Sequence, residues 1–349
     1  MRFSSNFRSA IFLGAGIGNT LFLIPLAKEI LKQGSLYGIA TSSFDSEAVL
    51  EGFNERLFSR VIKSRSKLQL ILKMLPFVLK QLDVVYLDYF SATRFNLVVS
   101  SMISRKIITN HIPENLPNRF KRKIEFVHPI PGLHEGAQYL RFIDRGVNDS
   151  SLSEANFKLT ANSIRSMEGK PYITIQPGAG NNLTPWKIWP LRFWAQLIQL
   201  IQLEQPALRI LILGDSTEYE ICRHLAAASE NVDNRCGLTT ISDLPVVIGQ
   251  SRLHIGGDSG LLHVAGVLGI PSICIAGGSD PEIYGWHKIN AQKHAVIRNK
   301  LDCHPCYRWY LPNKTRVTNP QKCPDYKCIQ SISPETVFEC FKQRINHAG

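Results

Sequence analysis

Residues 254–276 read HIGGDSGLLHVAGVLGIPSICIA. A short apolar run, a glycine-rich turn, an apolar segment of helical length and a second apolar run follow one another. This order predicts a strand at His254–Ile255, a helix at Leu261–Leu268 and a strand at Ser272–Ala276. Strands that are apolar on both faces and joined by a helix are typical of a parallel sheet covered by helices. The stretch therefore predicts an α/β fold.

The same alternation continues towards both ends of the chain. The other predicted strands are Ala10–Leu13, Tyr37–Thr41, Val84–Leu87, Lys106–Ile108, Tyr172–Gln176 and Arg209–Leu213, with a strand edge at Phe157–Leu159. The predicted helices are Thr20–Gln33, Lys67–Leu82, Leu191–Gln202 and Tyr219–Ser229, and Arg119–Lys123 is predicted to be a loop. At 349 residues the chain is long enough for two such domains. We place them at 1–160 and 161–349, with a connecting segment at about 146–169.

The composition is that of a globular protein, with 44% hydrophobic and 19% charged residues. No apolar run has the roughly 18 residues of a membrane span, and glycines interrupt the apolar N-terminal stretch that would otherwise suggest a signal peptide. The eight cysteines are scattered or clustered late in the chain, which favours reduced thiols and a cytoplasmic location. The formal charge of +12 is concentrated in the N-terminal half and favours an anionic partner.

The turn and helix within the opening stretch carry the strongest chemical signal. Asp258 and Ser259 are good N-cap residues, and Gly260 permits a close approach of a ligand to the first helical turn. The free N–H groups and the positive helix end form a site for a diphosphate, and His263 lies one turn inside. The alternative is a capped helix with an ordinary core histidine.

Four cysteines form a second constellation, Cys303-x2-Cys306-x16-Cys323-x4-Cys328, within the Cys-rich segment 301–330. Four thiolates would bind Zn or Fe in a small structural site. Free thiols and disulfides remain the alternatives on spacing alone. A terminal helix is expected after this segment.

Four segments in the same order resemble the ADP-heptose:lipopolysaccharide heptosyltransferase family, glycosyltransferase family 9. The segment D258-S-G-x-x-H263-x-A-x-x-x-G-x-P resembles the helix motif of that family, and Lys187-Ile-Trp-Pro190 after Gln176-Pro-Gly-Ala-Gly180 resembles its K-x-W-P element. Leu213-Gly214-Asp215 with Glu218 resembles its G-x-x-x-E segment. Gly18-Asn19 through Pro25 resembles its N-terminal loop and helix.

The resemblance implies a GT-B architecture, in which two Rossmann-like domains with parallel sheets face one another across a cleft. It also implies an N-terminal acceptor domain and a C-terminal nucleotide-sugar domain. The implied donor-binding residues are Lys187, Glu218, Asp258, Ser259, Gly260, Leu261 and His263, with Lys187 meeting the diphosphate and Glu218 the ribose. The implied reaction is inverting and needs no catalytic metal, since a lysine and a helix dipole can stabilise the departing diphosphate. Similar cysteine clusters in the family favour a structural Zn or Fe site.

The sequence departs from the family at the catalytic loop. Asn19 stands where the family has the aspartate that deprotonates the acceptor, and Leu23 stands where it has threonine or serine. An amide cannot accept a proton at useful pH, so either another acid is the base or activity is impaired. Asp88, which follows the strand Val84–Leu87, is the leading substitute; Asp83 and Asp45 are weaker candidates.

The resemblance implies an inverting glycosyltransferase that moves a sugar, expected to be heptose from ADP-heptose, to a lipopolysaccharide core or related cell-envelope glycan. Its predicted partners are a nucleotide-diphosphate sugar and an anionic glycolipid, with peripheral contact at the inner face of the cytoplasmic membrane. The alternatives are a protein O-heptosyltransferase acting on a surface protein and a catalytically inactive sugar-nucleotide-binding protein. A nucleic-acid-binding protein is disfavoured, because no nucleic-acid-binding motif is present.

Overall fold

A computed structural model describes residues 7–41, 44–162, 171–180, 184–227, 229–306 and 323–345. Residues 163–170 of the predicted connecting segment and residues 307–322 of the Cys-rich segment lie outside the described residues. Contact clustering divides the chain into two compact units, residues 1–51 with 55–157 and residues 52–54 with 158–349. The boundary falls after Phe157, whereas the sequence-based boundary is 160/161.

The first unit contains a parallel sheet with helices between its strands. Its strands are β1 Phe7–Leu13, β2 Gly34–Ala40, β3 Arg60–Lys63, β4 Leu82–Leu87, β5 Ser104–Thr109 and β6 Ile124–Phe126. Its helices are α1 Ile17–Phe22, α2 Ile24–Leu31, α3 Ser46–Glu51, α4 Lys67–Leu79, α5 Arg94–Ile103, α6 Asn118–Lys121, α7 Glu135–Leu140 and α8 Glu154–Phe157, with a 3-10 turn at Asp149–Ser151. The strand order is β3-β2-β1-β4-β5-β6, with parallel pairing throughout.

The second unit repeats this plan. Its strands are β7 Tyr172–Gln176, β8 Arg209–Ile212, β9 Val232–Asn234, β10 His254–Gly257, β11 Ser272–Ile275 and β12 His294–Ile297. Its helices are α9 Leu191–Glu204, α10 Tyr219–Ala226, α11 Leu244–Gly249, α12 Gly260–Leu268, α13 Pro281–Tyr284, α14 Lys327–Gln330 and α15 Pro334–Ile345, with 3-10 turns at Pro185–Lys187, Ser216–Glu218 and Trp286–Lys288. The order β12-β11-β10-β7-β8-β9 is again parallel.

The predicted α/β class with two parallel sheets is confirmed. Both sheets have the strand order of a doubly wound nucleotide-binding fold, whose ligands bind outside the carboxyl ends of the strands where the winding direction reverses. That point lies between β1 and β4 in the first unit and between β7 and β10 in the second. The topology therefore predicts that ligands bind at the carboxyl ends of the strands in each sheet.

Each sheet packs its own core, because the central strands are mostly buried on both faces. Phe12, Leu87 and Leu97 are buried in the core of the first unit. The second core includes Trp189 and Phe341, and Trp189 Nε1 donates a hydrogen bond of 2.9 Å to the carbonyl of Ile332, just before α15. Among the described residues, no helix combines the length and apolarity needed to cross a bilayer.

Three local predictions are wrong. The single helix predicted over Thr20–Gln33 is two helices that meet at Leu23, because Pro25 lies in the first turn of α2, where a missing N–H is tolerated. The loop predicted at Arg119–Lys123 contains most of α6. The strand edge predicted at Phe157–Leu159 does not form: Phe157 ends α8, and the nearby β-bridge joins Phe53 and Ala161.

Candidate functional site

The reversal point of the first sheet brings Asn19 and Asp88 to the same glycine. A Cβ atom built on Gly14 would lie 2.9 Å from Asn19 Cβ and 3.5 Å from Asp88 Oδ2. Gly14 follows β1 and Asp88 follows β4, so the pairing of these two strands explains the proximity. Asn19 Nδ2 donates to the carbonyl of Ala15 at 2.8 Å, which fixes the amide against its own loop.

Asp88 is buried and its carboxylate is already hydrogen-bonded. Oδ1 accepts a bond of 2.7 Å from the Ser91 N–H, and Oδ2 accepts one of 3.2 Å from the Tyr139 hydroxyl. Burial raises the pKa of Asp88, although the hydrogen bonds from Ser91 and Tyr139 act in the opposite direction. A raised pKa suits a base that must work near neutral pH, while the two bonds also stabilise the turn after β4.

The weaker acid candidates are engaged elsewhere. Asp45 is 3.0 Å from Lys63 Nζ; despite some opposing effect of burial, hydrogen bonding to Lys63 lowers its pKa. Asp83 lies at the amino end of β4, away from the carboxyl ends of the strands where ligands are expected. It accepts a hydrogen bond from the Arg8 N–H and forms a salt bridge with Arg105. Leu23 is fully buried and contributes to packing.

The reversal point of the second sheet contains a chain of four polar side chains. Lys187 Nζ lies 3.0 Å from Asp258 Oδ2, and His263 Nε2 lies 3.4 Å from Asp258 Oδ1. Trp286 Nε1 donates to His263 Nδ1 at 3.1 Å, which leaves Nε2 directed at the carboxylate. Sequence reasoning missed Trp286, since nothing local in the sequence links it to His263.

Asp258 carries a stable negative charge in this cluster. Burial by itself would raise its pKa, but attraction to Lys187 and the hydrogen bond and charge of His263 hold the pKa well below its usual range. The carboxylate therefore holds Lys187 and His263 in position at the end of the strand. It is not the helix cap that the sequence predicts.

The N-terminus of α12 is open to a ligand. Ser259 occupies the N-cap position but makes no side-chain cap; its hydroxyl hydrogen-bonds Gln176 on the neighbouring strand instead. The side chain of Leu261 is buried, so only its N–H could meet a ligand, together with that of Gly260. An uncapped helix of nine residues presents N–H groups and a positive dipole end to an anion.

Two glycines let the Lys187 turn lie against the strand ends. A Cβ at Gly257 would lie 2.8 Å from the Lys187 carbonyl oxygen, and one at Gly277 would lie 1.6 Å from that of Trp186. Gly278 N donates to the same Trp186 carbonyl at 3.2 Å. Larger residues would displace this turn and carry Lys187 away from Asp258.

Glu218 ties together the loops after β7 and β8. Its Oε2 accepts from Asp215 N at 2.9 Å, and its Oε1 accepts from Gly180 N at 3.2 Å. Burial raises its pKa, against the effect of these hydrogen bonds. The carboxylate thus caps the 3-10 turn at Ser216–Glu218 in a capping box with Asp215.

The four cysteines of the late cluster are free thiols and neighbours of one another. Burial raises the pKa of Cys328 to about 12, and nearby Cys306, Cys323 and Cys303 raise it further. The thiols of Cys306 and Cys323 donate to Gly278 O and Asp325 Oδ1, at 3.7 and 3.9 Å. Within the described part of the chain, which includes all four cysteines, no group of three His, Cys, Asp or Glu side chains is arranged to hold a metal.

Comparison with protein families places these features in context. The family model described as glycosyltransferase family 9 (heptosyltransferase) matches residues 138–314, about half of the chain. The chain is 26% identical over 354 aligned positions to lipooligosaccharide heptosyltransferase 2 of Campylobacter jejuni, covering 97% of this chain and 98% of the relative.

Two solved structures share the fold. The structure of Escherichia coli ADP-heptose lps heptosyltransferase II superposes with a TM-score of 0.73 at 17% identity, covering 98% of this chain and 99% of that one. The iron-containing dodecameric glycosyltransferase TibC of enterotoxigenic E. coli superposes with a TM-score of 0.57 at 11% identity, covering 99% of this chain and 78% of that one.

Proposed function

Because the chain belongs to glycosyltransferase family 9 (heptosyltransferase), we propose that it transfers heptose from ADP-heptose to a lipopolysaccharide core or related cell-envelope glycan. The chain is a glycosyltransferase; the sugar, the nucleotide and the acceptor are the proposed part. The observation that carries the proposal is the cluster of Lys187, Asp258 and His263 beside the open N-terminus of α12, at the reversal point of the second sheet.

The donor diphosphate binds where this cluster and the helix meet. Lys187 is part-exposed, so its ammonium can contact a phosphate oxygen while Asp258 keeps it in position. The N–H groups of Gly260 and Leu261 donate to a second phosphate oxygen, while the Ser259 hydroxyl bonds to Gln176. As the bond to the sugar breaks, negative charge grows on the diphosphate, and these donors stabilise it more strongly than in the ground state. His263 adds a hydrogen-bond donor oriented by Trp286.

The first unit presents the acceptor and its base. In the proposed inverting reaction a base removes the proton of an acceptor hydroxyl, the oxygen attacks the anomeric carbon, and the diphosphate departs. Asp88 is the proposed base, supported by its raised pKa and its position beside the Gly14–Asn19 loop. Asn19 then orients the acceptor by hydrogen bonding. Glu218 is the proposed ribose contact, in addition to its capping bonds.

The test is transfer by the purified chain, followed by mass spectrometry. Incubation with ADP-heptose and a lipopolysaccharide acceptor truncated before its outer core should add one heptose to the acceptor. A panel of other nucleotide sugars is the control for the donor. Transfer from a different donor, or none with this acceptor, would overturn the assignment of substrates.

Two alternatives are distinguished by further outcomes. A protein O-heptosyltransferase would leave lipopolysaccharide unchanged in a deletion strain and alter the electrophoretic mobility of a surface protein. An inactive sugar-nucleotide-binding protein would bind the donor nucleotide and transfer nothing. The free state of all eight cysteines supports a cytoplasmic location, where donor nucleotide sugars and reducing conditions coexist.

The cysteine cluster is the proposed structural metal site. Cys303, Cys306, Cys323 and Cys328 supply four neighbouring thiols, which are ligands of the type that Zn and Fe prefer, although their arrangement among the residues that the structure describes does not form a metal-binding geometry. When bound, the metal would cross-link the segment that precedes α14 to the loop around Gly278. The reaction proposed above takes no step at this site.

A further inference from the structure

We infer that the exposed face of α4 docks the protein on an anionic lipid bilayer. The α4 face consists of six large apolar side chains that are exposed to solvent: Leu68, Ile71, Leu72, Leu75, Val78 and Leu79. The fully buried residues of this helix are Leu70 and Met74, which pack in the core of the first unit. Leu79 is 91% exposed and Leu68 is 67% exposed.

The apolar side chains form one stripe. Leu68, Leu72, Leu75 and Leu79 are spaced by four, three and four residues, which places them on a common line along a helix. Ile71 and Val78 widen the stripe on the side that continues into the buried residues. A contiguous exposed apolar surface of this kind is unfavourable in water and marks an interaction site.

The charge around the stripe decides which partner it fits. Residues 56–82 contain seven arginines and lysines and no aspartate or glutamate. Of the acids that flank this segment, Glu55 lies near Lys28, Asp45 and Glu47 pair with Lys63, and Asp83 pairs with Arg105. Three lysines on or next to α4 keep their positive charge without an acid in these pairs. Lys67 lies over the Phe95 ring, Lys73 donates to the Lys63 carbonyl, and Lys80 ends the helix. A second copy of the chain would bring the same positive charges together, which disfavours pairing through this face.

An anionic bilayer surface matches both properties. A helix with apolar residues on one side and lysines beside them lies in the interfacial plane, with its apolar side chains among the acyl chains and its cations at the headgroups. With 13 residues, α4 is too short to cross the roughly 30 Å hydrocarbon core, so it lies along the surface. The inference does not rest on the proposed transfer reaction.

Vesicle sedimentation tests the inference without donor or acceptor. The full chain is mixed with vesicles of phosphatidylcholine, alone or with phosphatidylglycerol, and we expect binding to the anionic vesicles that weakens with added salt. Substituting Leu68→Gln, Leu72→Gln, Leu75→Gln and Leu79→Gln together should weaken binding by about tenfold or more. The changed residues are exposed, and glutamine is a good helix former, so circular dichroism should be unchanged.

Matched variants separate the apolar and charged contributions. Leu203→Gln alters a 79% exposed leucine on α9 and should bind vesicles like the parent. Lys67→Gln with Lys80→Gln should reduce the preference for anionic over neutral vesicles. The inference is overturned if the parent chain ignores anionic vesicles or if the four-leucine variant binds them equally well. It is also overturned if that variant instead dissociates an oligomer of the parent, which would assign the face to a second copy.

Discussion

Asp258 is the residue on which the proposed donor site of the second unit depends. It is almost fully buried, yet it is ionised, because Lys187 and His263 both face it. A buried carboxylate with two such partners holds their side chains in place. Removing one partner leaves part of the buried negative charge without compensation. At the residue scale, the site is therefore a linked set in which each substitution affects orientation as well as charge.

The first residue-scale prediction concerns Lys187 and His263. We expect Lys187→Ala and His263→Ala each to weaken ADP binding by roughly 10- to 150-fold, the equivalent of about 1.5–3 kcal/mol for a charge-assisted hydrogen bond. Isothermal titration calorimetry measures this, and Lys300→Ala, which removes an exposed lysine elsewhere, is the control. Trp286→Phe keeps an aromatic ring but removes the donor to His263, so it should have a smaller effect. Unchanged ADP affinity in both alanine variants would remove the donor-site assignment.

The second residue-scale prediction concerns the base. We expect Asp88→Asn to keep ADP affinity and to lower turnover by about 10²- to 10⁴-fold, the usual contribution of a positioned base. Asp83→Asn is the matched control, because Asp83 lies at the amino end of β4, whereas Asp88 follows its carboxyl end. Asn19→Asp would place an acid beside the same glycine and should partly restore turnover in the Asp88→Asn background. Full activity of Asp88→Asn would show that another group removes the proton.

At the scale of elements, the turns after the strands do the positioning. The turn at Pro185–Lys187 can approach the ends of β10 and β11 only because glycines occupy 257 and 277. The helix α12 stays uncapped because the Ser259 hydroxyl bonds to Gln176 at the end of β7. Each functional side chain thus owes its position to a neighbouring strand and not to its own segment.

The element-scale prediction concerns the Cys-rich segment. We expect protein purified under reducing conditions to carry about one equivalent of Zn or Fe bound by Cys303, Cys306, Cys323 and Cys328. Elemental analysis measures the metal, and a chelator should lower the unfolding temperature. Cys306→Ser should lose the metal, whereas Cys340→Ser, which alters a part-buried thiol on α15, should retain it. Metal-free protein with unchanged stability in chelator would identify the four residues as ordinary thiols.

At the scale of the whole molecule, the two units share one sheet topology and differ in charge. The formal charge of +12 is concentrated in the N-terminal half, which contains α4 and the proposed acceptor base. The second unit contains the ion-paired cluster of Lys187, Asp258 and His263 and two buried histidines, each the first residue of a strand. These histidines make the stability of the second unit depend on pH, and burial also lowers the pKa of His111 in the first unit.

The whole-molecule prediction is a loss of stability on mild acidification. Burial lowers the pKa of both His254 and His294 to about 3, and each ring is hydrogen-bonded through Nδ1, to Thr174 at 3.0 Å and to Ser272 at 2.9 Å. The unfolded chain takes up these protons below about pH 6.5 while the folded chain does not. The free energy of unfolding should therefore fall as pH drops from about 6.5 towards 3, by up to about 1.4 kcal/mol per pH unit for each histidine.

Urea unfolding at neutral pH and near pH 5 measures this loss. His294→Asn retains an amide that can bond Ser272 but cannot take up a proton in this range, so it should reduce the slope by about one proton. The depressed pKa of Asp258 adds a further loss of stability only as the pH falls towards the unfolded pKa of a carboxylate, about 4, so the comparison of neutral pH with pH 5 reports mainly the histidines. A parent protein equally stable at both pH values would contradict the prediction.

The sequence by itself determined the α/β class, most strands to within two or three residues, and the family through four ordered motifs. These follow from local properties: apolar runs of strand length, helical spacing, and glycines at strand ends. The errors at Thr20–Gln33 and Arg119–Lys123 also have a local cause. A proline in the first turn of a second helix leaves an apolar pattern close to that of one continuous helix. A short basic helix has a residue pattern close to that of a loop.

Only the tertiary structure decided which groups meet. Lys187 and His263 contact the carboxylate of Asp258 across the fold. Glu218 caps a turn, and Asp88 lies beside the Asn19 loop. The tertiary structure also left the α4 face exposed, where the helical pattern alone would have buried it. Contacts between residues dozens of positions apart depend on strand order and on the competition among neighbours for each hydrogen bond. Neither quantity is encoded in the spacing of residues along one segment.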